Sequence, residues 1–101
     1  MPNKAHTATV NRIAQRYGVR PTPDGPFDVQ AETFSIDVET SASLDTAVEK
    51  LRVLPGPVYI AVTNKEGIHL ALVKTEGTTI GVMDPQGGIV RNSGDQPPPM
   101  D

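Results

Sequence analysis

Three carboxylates stand where two short alternating segments would bring them together. Asp37 and Glu39 are separated by one residue in Phe34-Ser35-Ile36-Asp37-Val38-Glu39, and Asp28 lies in Phe27-Asp28-Val29-Gln30. On a strand, residues i and i+2 project to one side, so Asp37 and Glu39 share a face with their Cβ atoms roughly 6–7 Å apart. A third carboxylate on an antiparallel neighbour approaches both. Such a trio repels unless it is solvated, protonated or bridged by a cation. Mg²⁺ or Mn²⁺ suits oxygen donors of this kind, and it polarises a phosphoryl oxygen and acidifies a bound water. The competing reading is plainer, because alternating polar residues on an antiparallel strand are usually its wet face.

The elements that must position these residues are legible in turn. Val10, Ile13, Ala14 and Tyr17 recur at helical spacing, with Thr7 or Thr9 as the expected cap and Gly18 as the stop. Arg12, Gln15 and Arg16 lie off that stripe, and Arg20 opens the Pro-rich stretch 20–26, which is neither helix nor central strand. Ala31-Glu32-Thr33 is short enough to make the two alternating segments an antiparallel hairpin. Phe34, Ile36 and Val38 then point into the core.

A second helix is expected from Ser43, carrying Leu44, Ala47, Val48, Leu51 and Leu54 inward until Pro55-Gly56-Pro57 stops it. Val58 to Val62 is continuously apolar, the mark of a strand covered on both faces and parallel to its neighbour. A short helix over 68–75, a strand over 79–83, a turn over 84–88 and an edge strand over 89–91 complete the pattern. The order α-β-β-α-β-α-β-β predicts an α/β (α+β) domain with a mixed sheet flanked by helices. One domain over 1–92 and a disordered Pro-rich tail over 93–101 are expected.

Composition limits the alternatives. The chain has 101 residues, a formal charge of −3, ten prolines and no cysteine, so thiolate chemistry is excluded. The two histidines are too few for a three-histidine zinc site; His6 in an N-terminal arm and His69 near a helix start are read as incidental. P-loop and GxGxxG patterns are absent, and so is an apolar run long enough to span a bilayer. A cytoplasmic protein without membrane contact is expected. Residues 1–23 hold four basic and no acidic side chains, while the remainder holds five basic and twelve acidic ones. A basic helix on an acidic body can face phosphate while the body holds a cation.

Taken in order, Phe27-Asp28-Val29, Ile36-Asp37-Val38-Glu39-Thr40-Ser41, an amphipathic helix and Pro57 to Val62 resemble the core of the PD-(D/E)xK nuclease superfamily, which includes restriction endonucleases and Holliday-junction resolvases. The resemblance covers residues about 8 to 91. It implies a restriction-endonuclease-like αβββαβ core and Mg²⁺-dependent hydrolysis of DNA phosphodiester bonds. Asp28 would match the first metal-binding acid and Asp37 the acid of the (D/E)-x-K pair, with the Val38 carbonyl as a further ligand. Glu39 falls where the family has lysine, and some restriction-type members carry glutamate there. An alternative register makes Glu39 the acid and places Ser41 in the lysine slot. Arg12, Gln15, Arg16 and Arg20 would meet the DNA backbone, and a homodimer is expected. The other reading is a catalytically inactive module of the same fold that binds nucleic acid or protein.

Overall fold

The computed structural model of the chain describes residues 4–22, 25–54 and 56–94. It comprises α1 (Lys4–Arg16), β1 (Val29–Gln30), β2 (Ser35–Glu39), a 3₁₀ turn (Ser41–Ser43), α2 (Leu44–Leu51), β3 (Val58–Val62), α3 (Glu66–Lys74), β4 (Gly81–Met83) and β5 (Ile89–Arg91). The strands form one mixed sheet in the order β1-β2-β3-β4-β5. β1 is antiparallel to β2, β2–β3–β4 are parallel, and β5 returns antiparallel to β4. The expected hairpin and buried parallel strand are both present in this α+β fold. Pro23 and Asp24 of the Pro-rich stretch, Pro55 and residues 95–101 of the expected tail lie outside the described residues. The start of that tail is bonded to the sheet: Ser93 Oγ accepts from Val58 N–H at 3.1 Å and donates to the Thr79 carbonyl at 2.8 Å, and Gly94 N–H donates to the same carbonyl at 2.8 Å.

Helices cover both faces of the sheet. α1 lays Val10, Ile13 and Ala14 against Val29, Ile36, Val38, Tyr59, Ala61 and Met83. On the opposite face, Leu44, Ala47, Val48 and Leu51 of α2 and Ala71 of α3 pack on Val58, Ile60, Val62 and Val82. All five residues of β3 are therefore buried, as its unbroken apolar run required. Lys74 Nζ reaches Asp45 Oδ1 at 2.8 Å, tying α3 to α2. No helix among the described residues is long and apolar enough to cross a membrane.

Several boundaries differ from the sequence reading. α1 already runs at Lys4, so neither Thr7 nor Thr9 caps it. Thr9 is buried, and its hydroxyl donates to the Ala5 carbonyl at 2.8 Å. α2 ends at Leu51, which leaves Leu54 in a turn and partly exposed. Ahead of α2, Thr40 and Ser43 cap the 3₁₀ turn reciprocally, with Thr40 N–H donating to Ser43 Oγ at 3.1 Å.

The N-terminal helix is tied to the far end of the chain. Arg12 Nη1 donates to the Pro85 carbonyl (2.8 Å), Arg16 Nη1 to that of Gln86 (3.0 Å) and Tyr17 Oη to that of Gly87 (2.6 Å). Asp84 shapes that β4–β5 turn from within, its Oδ1 accepting from Gln86 N–H and Gly88 N–H at 2.8 Å each. Beside it, Tyr17, Phe34 and Tyr59 stack edge to face, with centroids 5.2 and 5.5 Å apart.

Tyr59 needs a glycine next door. A Cβ on Gly81 would lie 2.5 Å from Tyr59 Cδ2 and Cε2 and 2.6 Å from the Ser93 backbone nitrogen. The ring cannot swing away without breaking the aromatic stack, and the Ser93 backbone cannot yield cheaply. Gly81→Ala is therefore expected to cost ~1–3 kcal/mol in urea denaturation, as overpacking does. Stability within a few tenths of the parent would show that the stack yields freely.

Candidate functional site

The sheet forks between β1 and β2. β1 pairs with β2 only through Val29↔Ile36 and Gln30↔Ser35, whereas β2 continues to Glu39. On the side that β1 has vacated, the Val38 N–H has no ladder partner. Asp28 supplies one: its Oδ2 accepts from Val38 N–H at 2.9 Å. In an extended strand the carbonyl of a residue points the same way as its N–H, so the Val38 carbonyl also faces the fork. Continuing the β1–β2 register by one step sets Asp28 opposite Asp37.

Asp37 does not lie on a wet face. Its side chain is only 7% exposed, and Ser35 beside it on the same face is buried too. α2 covers this polar face of β2, and Lys50 of that helix places Nζ 3.3 Å from Asp37 Oδ2. Lys50 was not among the expected site residues. It is off the apolar stripe of α2, and only the packing of that helix over β2 brings it to the cluster.

His6 also takes part. It sits in α1, not in a loose arm, with Nε2 3.2 Å from Asp28 Oδ2. His69, by contrast, is exposed on α3. Asp28 is thus gripped from two sides, by α1 and by the β2 backbone.

The electrostatics follow from this crowding. Burial pushes the Asp37 carboxyl up to about 6, and the neighbouring Glu39 carboxylate adds to the rise through a shared proton and through repulsion. Lys50 opposes the rise, as does a hydrogen bond involving Asp28, but neither cancels it. Burial also raises Asp28; the Val38 N–H opposes that, the negative charge of Asp37 adds to it, and His6 lowers it again. The three expected carboxylates therefore act on one another. Among the described residues, however, no three His, Asp or Glu side chains are already arranged around a common ion position. The donor set itself, carboxylates with a backbone carbonyl beside them, suits a hard divalent cation.

The expected nucleic-acid contacts are distributed differently. Gln15 and Arg20 are exposed, whereas Arg12 and Arg16 each give one guanidinium nitrogen to the β4–β5 turn. Ser41, the alternative occupant of the lysine slot, is exposed in the 3₁₀ turn.

A carboxyl that ionises less readily when folded makes stability fall with pH. Because its folded value lies above the ordinary 3.8, the contribution of Asp37 is fully present below about pH 3.8 and is lost as pH rises through about 6. In chelator, Asp37→Asn is expected to flatten this dependence. Above that window it should be more stable than the parent by ~1–2 kcal/mol, part of the gain being offset because Lys50 loses its partner. Urea melts on either side of the window measure this. A variant destabilised at the higher pH would mark Asp37 as a structural partner of Lys50.

Comparison of the chain with protein-family models, with curated proteins and with solved structures finds no match, and the chemistry of the site rests on its own geometry.

Proposed function

We propose that the chain is a minimal divalent-metal-dependent nuclease domain of the PD-(D/E)xK type, with a restriction-endonuclease-like core. The observation that carries this reading is Asp28 held at the β1–β2 fork by the Val38 N–H, opposite buried Asp37 in register, with the Lys50 ammonium 3.3 Å from Asp37. Part of the order of elements supports it: an N-terminal helix, a hairpin whose second strand carries the acid pair, a helix, and a buried parallel strand, with two strands rather than the αβββαβ pattern's three ahead of that second helix.

Asp28, Asp37 and Glu39 would hold Mg²⁺ or Mn²⁺, with the Val38 carbonyl as a further oxygen donor. When bound, that ion polarises a phosphoryl oxygen and lowers the pKa of a coordinated water. The chain's own groups do the rest. Val38 N–H and His6 fix the direction of the Asp28 carboxylate. The buried position of Asp37 raises the gain from gathering a cation, because a deprotonated carboxylate there lacks full compensation.

Lys50 would supply the positive charge that position 39 lacks. Glutamate at position 39 cannot donate positive charge, but the ammonium of Lys50 arrives from α2 at the same carboxylate. It would stabilise negative charge that develops on the phosphoryl group and orient an attacking water by hydrogen bonding. Side chains over half exposed, as Lys50 is, can shift between Asp37 and a bound phosphate.

Nicking of plasmid and branched DNA with Mg²⁺ or Mn²⁺ tests the reading. Cleavage is expected in the parent, abolition by chelator, and a loss of at least ~100-fold in Asp37→Asn and ~10-fold or more in Lys50→Gln. Cleavage unchanged in Asp37→Asn would sink the assignment. Absence of cleavage, with metal-dependent shifts of the Asp28 and Asp37 resonances retained, would favour a non-catalytic module instead.

A further inference from the structure

A second feature lies on the same edge of the sheet. Beyond the carboxyl ends of β3 and β4 the surface opens into a cleft of about 420 Å³. Arg12 reaches it from α1, Thr63, Asn64 and Lys65 from the loop between β3 and α3, and Asp84 and Gln86 from the β4–β5 turn. In open α/β sheets, ligands bind in the crevice outside the carboxyl ends of parallel strands. Here α1 covers one face and α3 the other, which leaves that crevice between the two layers.

The charges in the cleft point to an anion. Acidic residues outnumber basic ones in this chain, and Lys50, Arg52 and Lys74 each have a carboxylate partner. Among the described residues, Lys4, Arg12, Arg16, Arg20, Lys65 and Arg91 are outside the ion pairs, and of these Arg12 and Lys65 line the same cleft. Asp84 Oδ1 is committed to the turn, where it accepts two backbone N–H bonds, so the lining sets two cations against one carboxylate. Arg12 spends one nitrogen on the Pro85 carbonyl, which fixes the guanidinium at the cleft and leaves most of its five N–H donors.

Asn64 adds direction. Its Oδ1 accepts from Gly67 N–H at 2.9 Å, so its amide nitrogen remains as a donor. That bond also occupies the Gly67 N–H in the first turn of α3, which turns the Asn64 side chain rather than this amide toward a ligand. Two cations beside an amide and a hydroxyl suit a tetrahedral oxyanion such as phosphate.

Register gives the distance to the carboxylates. Glu39 pairs with Val62, so Thr63 follows one residue beyond the neighbouring strand, and Asp84 follows the end of the next. The cleft lies one to two strand spacings from Glu39, ~5–10 Å. That is the scale separating nearby phosphates on one nucleic-acid strand.

We infer that this cleft binds a backbone phosphate of a nucleic-acid strand, beside the phosphate addressed by Asp28, Asp37 and Glu39. The inference rests on the nuclease reading for the identity of the strand, and the test separates the two. DNA duplex and inorganic phosphate are titrated in chelator, where cleavage is off, while amide resonances and anisotropy are followed. Duplex is expected to shift Asn64, Lys65 and Gln86. Lys65→Glu, at an exposed position, is expected to weaken duplex binding by ~5–10-fold and to reduce the salt slope by ~0.9, the value for one lost phosphate contact. Lys65→Arg should restore both.

Shifts of these residues with inorganic phosphate but not with duplex would overturn the strand and leave a site for a small phosphorylated ligand. Duplex binding that is indifferent to Lys65→Glu, without shifts at the cleft, would overturn the inference while metal-dependent cleavage could stand. Lys65-dependent duplex binding without metal-dependent cleavage would instead uphold the cleft and remove the nuclease reading.

Discussion

A strand that parts from its neighbour leaves a backbone N–H with nothing to bond, and in this protein a carboxylate fills that place. Val38 would be an orphan donor where β1 has turned away, and Asp28 accepts from it at 2.9 Å. This substitution of a side chain for a strand lets the sheet open between β1 and β2 without an unsatisfied group. The carboxylate that does so is also the one nearest Asp37 across the hairpin register. Structural and chemical demands thus fall on the same oxygen atoms. His6 from α1 and Lys50 from α2 then approach the fork from opposite faces of the sheet.

Much of the fold is written in local periodicity. The stripe of Val10, Ile13 and Ala14, the alternation along 34–39 and the apolar run Val58 to Val62 each reflect one element burying one kind of face. Those signals survive folding because they depend on a few neighbouring residues. The shared side of Asp37 and Glu39 was legible for the same reason, a period of two, and the short hairpin connection brought Asp28 opposite Asp37. Helix starts were less legible. Thr9 looks like a cap in sequence, but its short hydroxyl finds the Ala5 carbonyl one turn back, and the helix passes through it.

What escaped the sequence is what tertiary packing decides. The face carrying Ser35 and Asp37 reads as solvated, and it becomes an interior surface only because α2 crosses over it. Lys50 is 13 residues from Asp37 and His6 is 22 from Asp28, distances at which no pattern of spacing survives. Arg12 and Arg16 share a helix face, as their spacing required. Their carbonyl partners, about seventy residues away, depend on where the β4–β5 turn comes to rest. The formal charge of −3 likewise conceals an arrangement along one edge: carboxylates at the end of β2, and cations near the ends of β3 and β4.

The bonds from Arg12, Arg16 and Tyr17 to Pro85, Gln86 and Gly87 have a consequence for the order of events on the ribosome. The first helix is made before its polar partners, which follow it by about seventy residues. Until the turn emerges, α1 can cover the hydrophobic face of a growing sheet without being held in its final orientation, and His6 has no fixed bearing on Asp28. A nascent chain ending before residue 85 would contain all three carboxylates and Lys50, yet would lack the latch that sets the helix above them. The final orientation of α1 above the β1–β2 fork therefore waits for the β4–β5 turn, about seventy residues further along the chain.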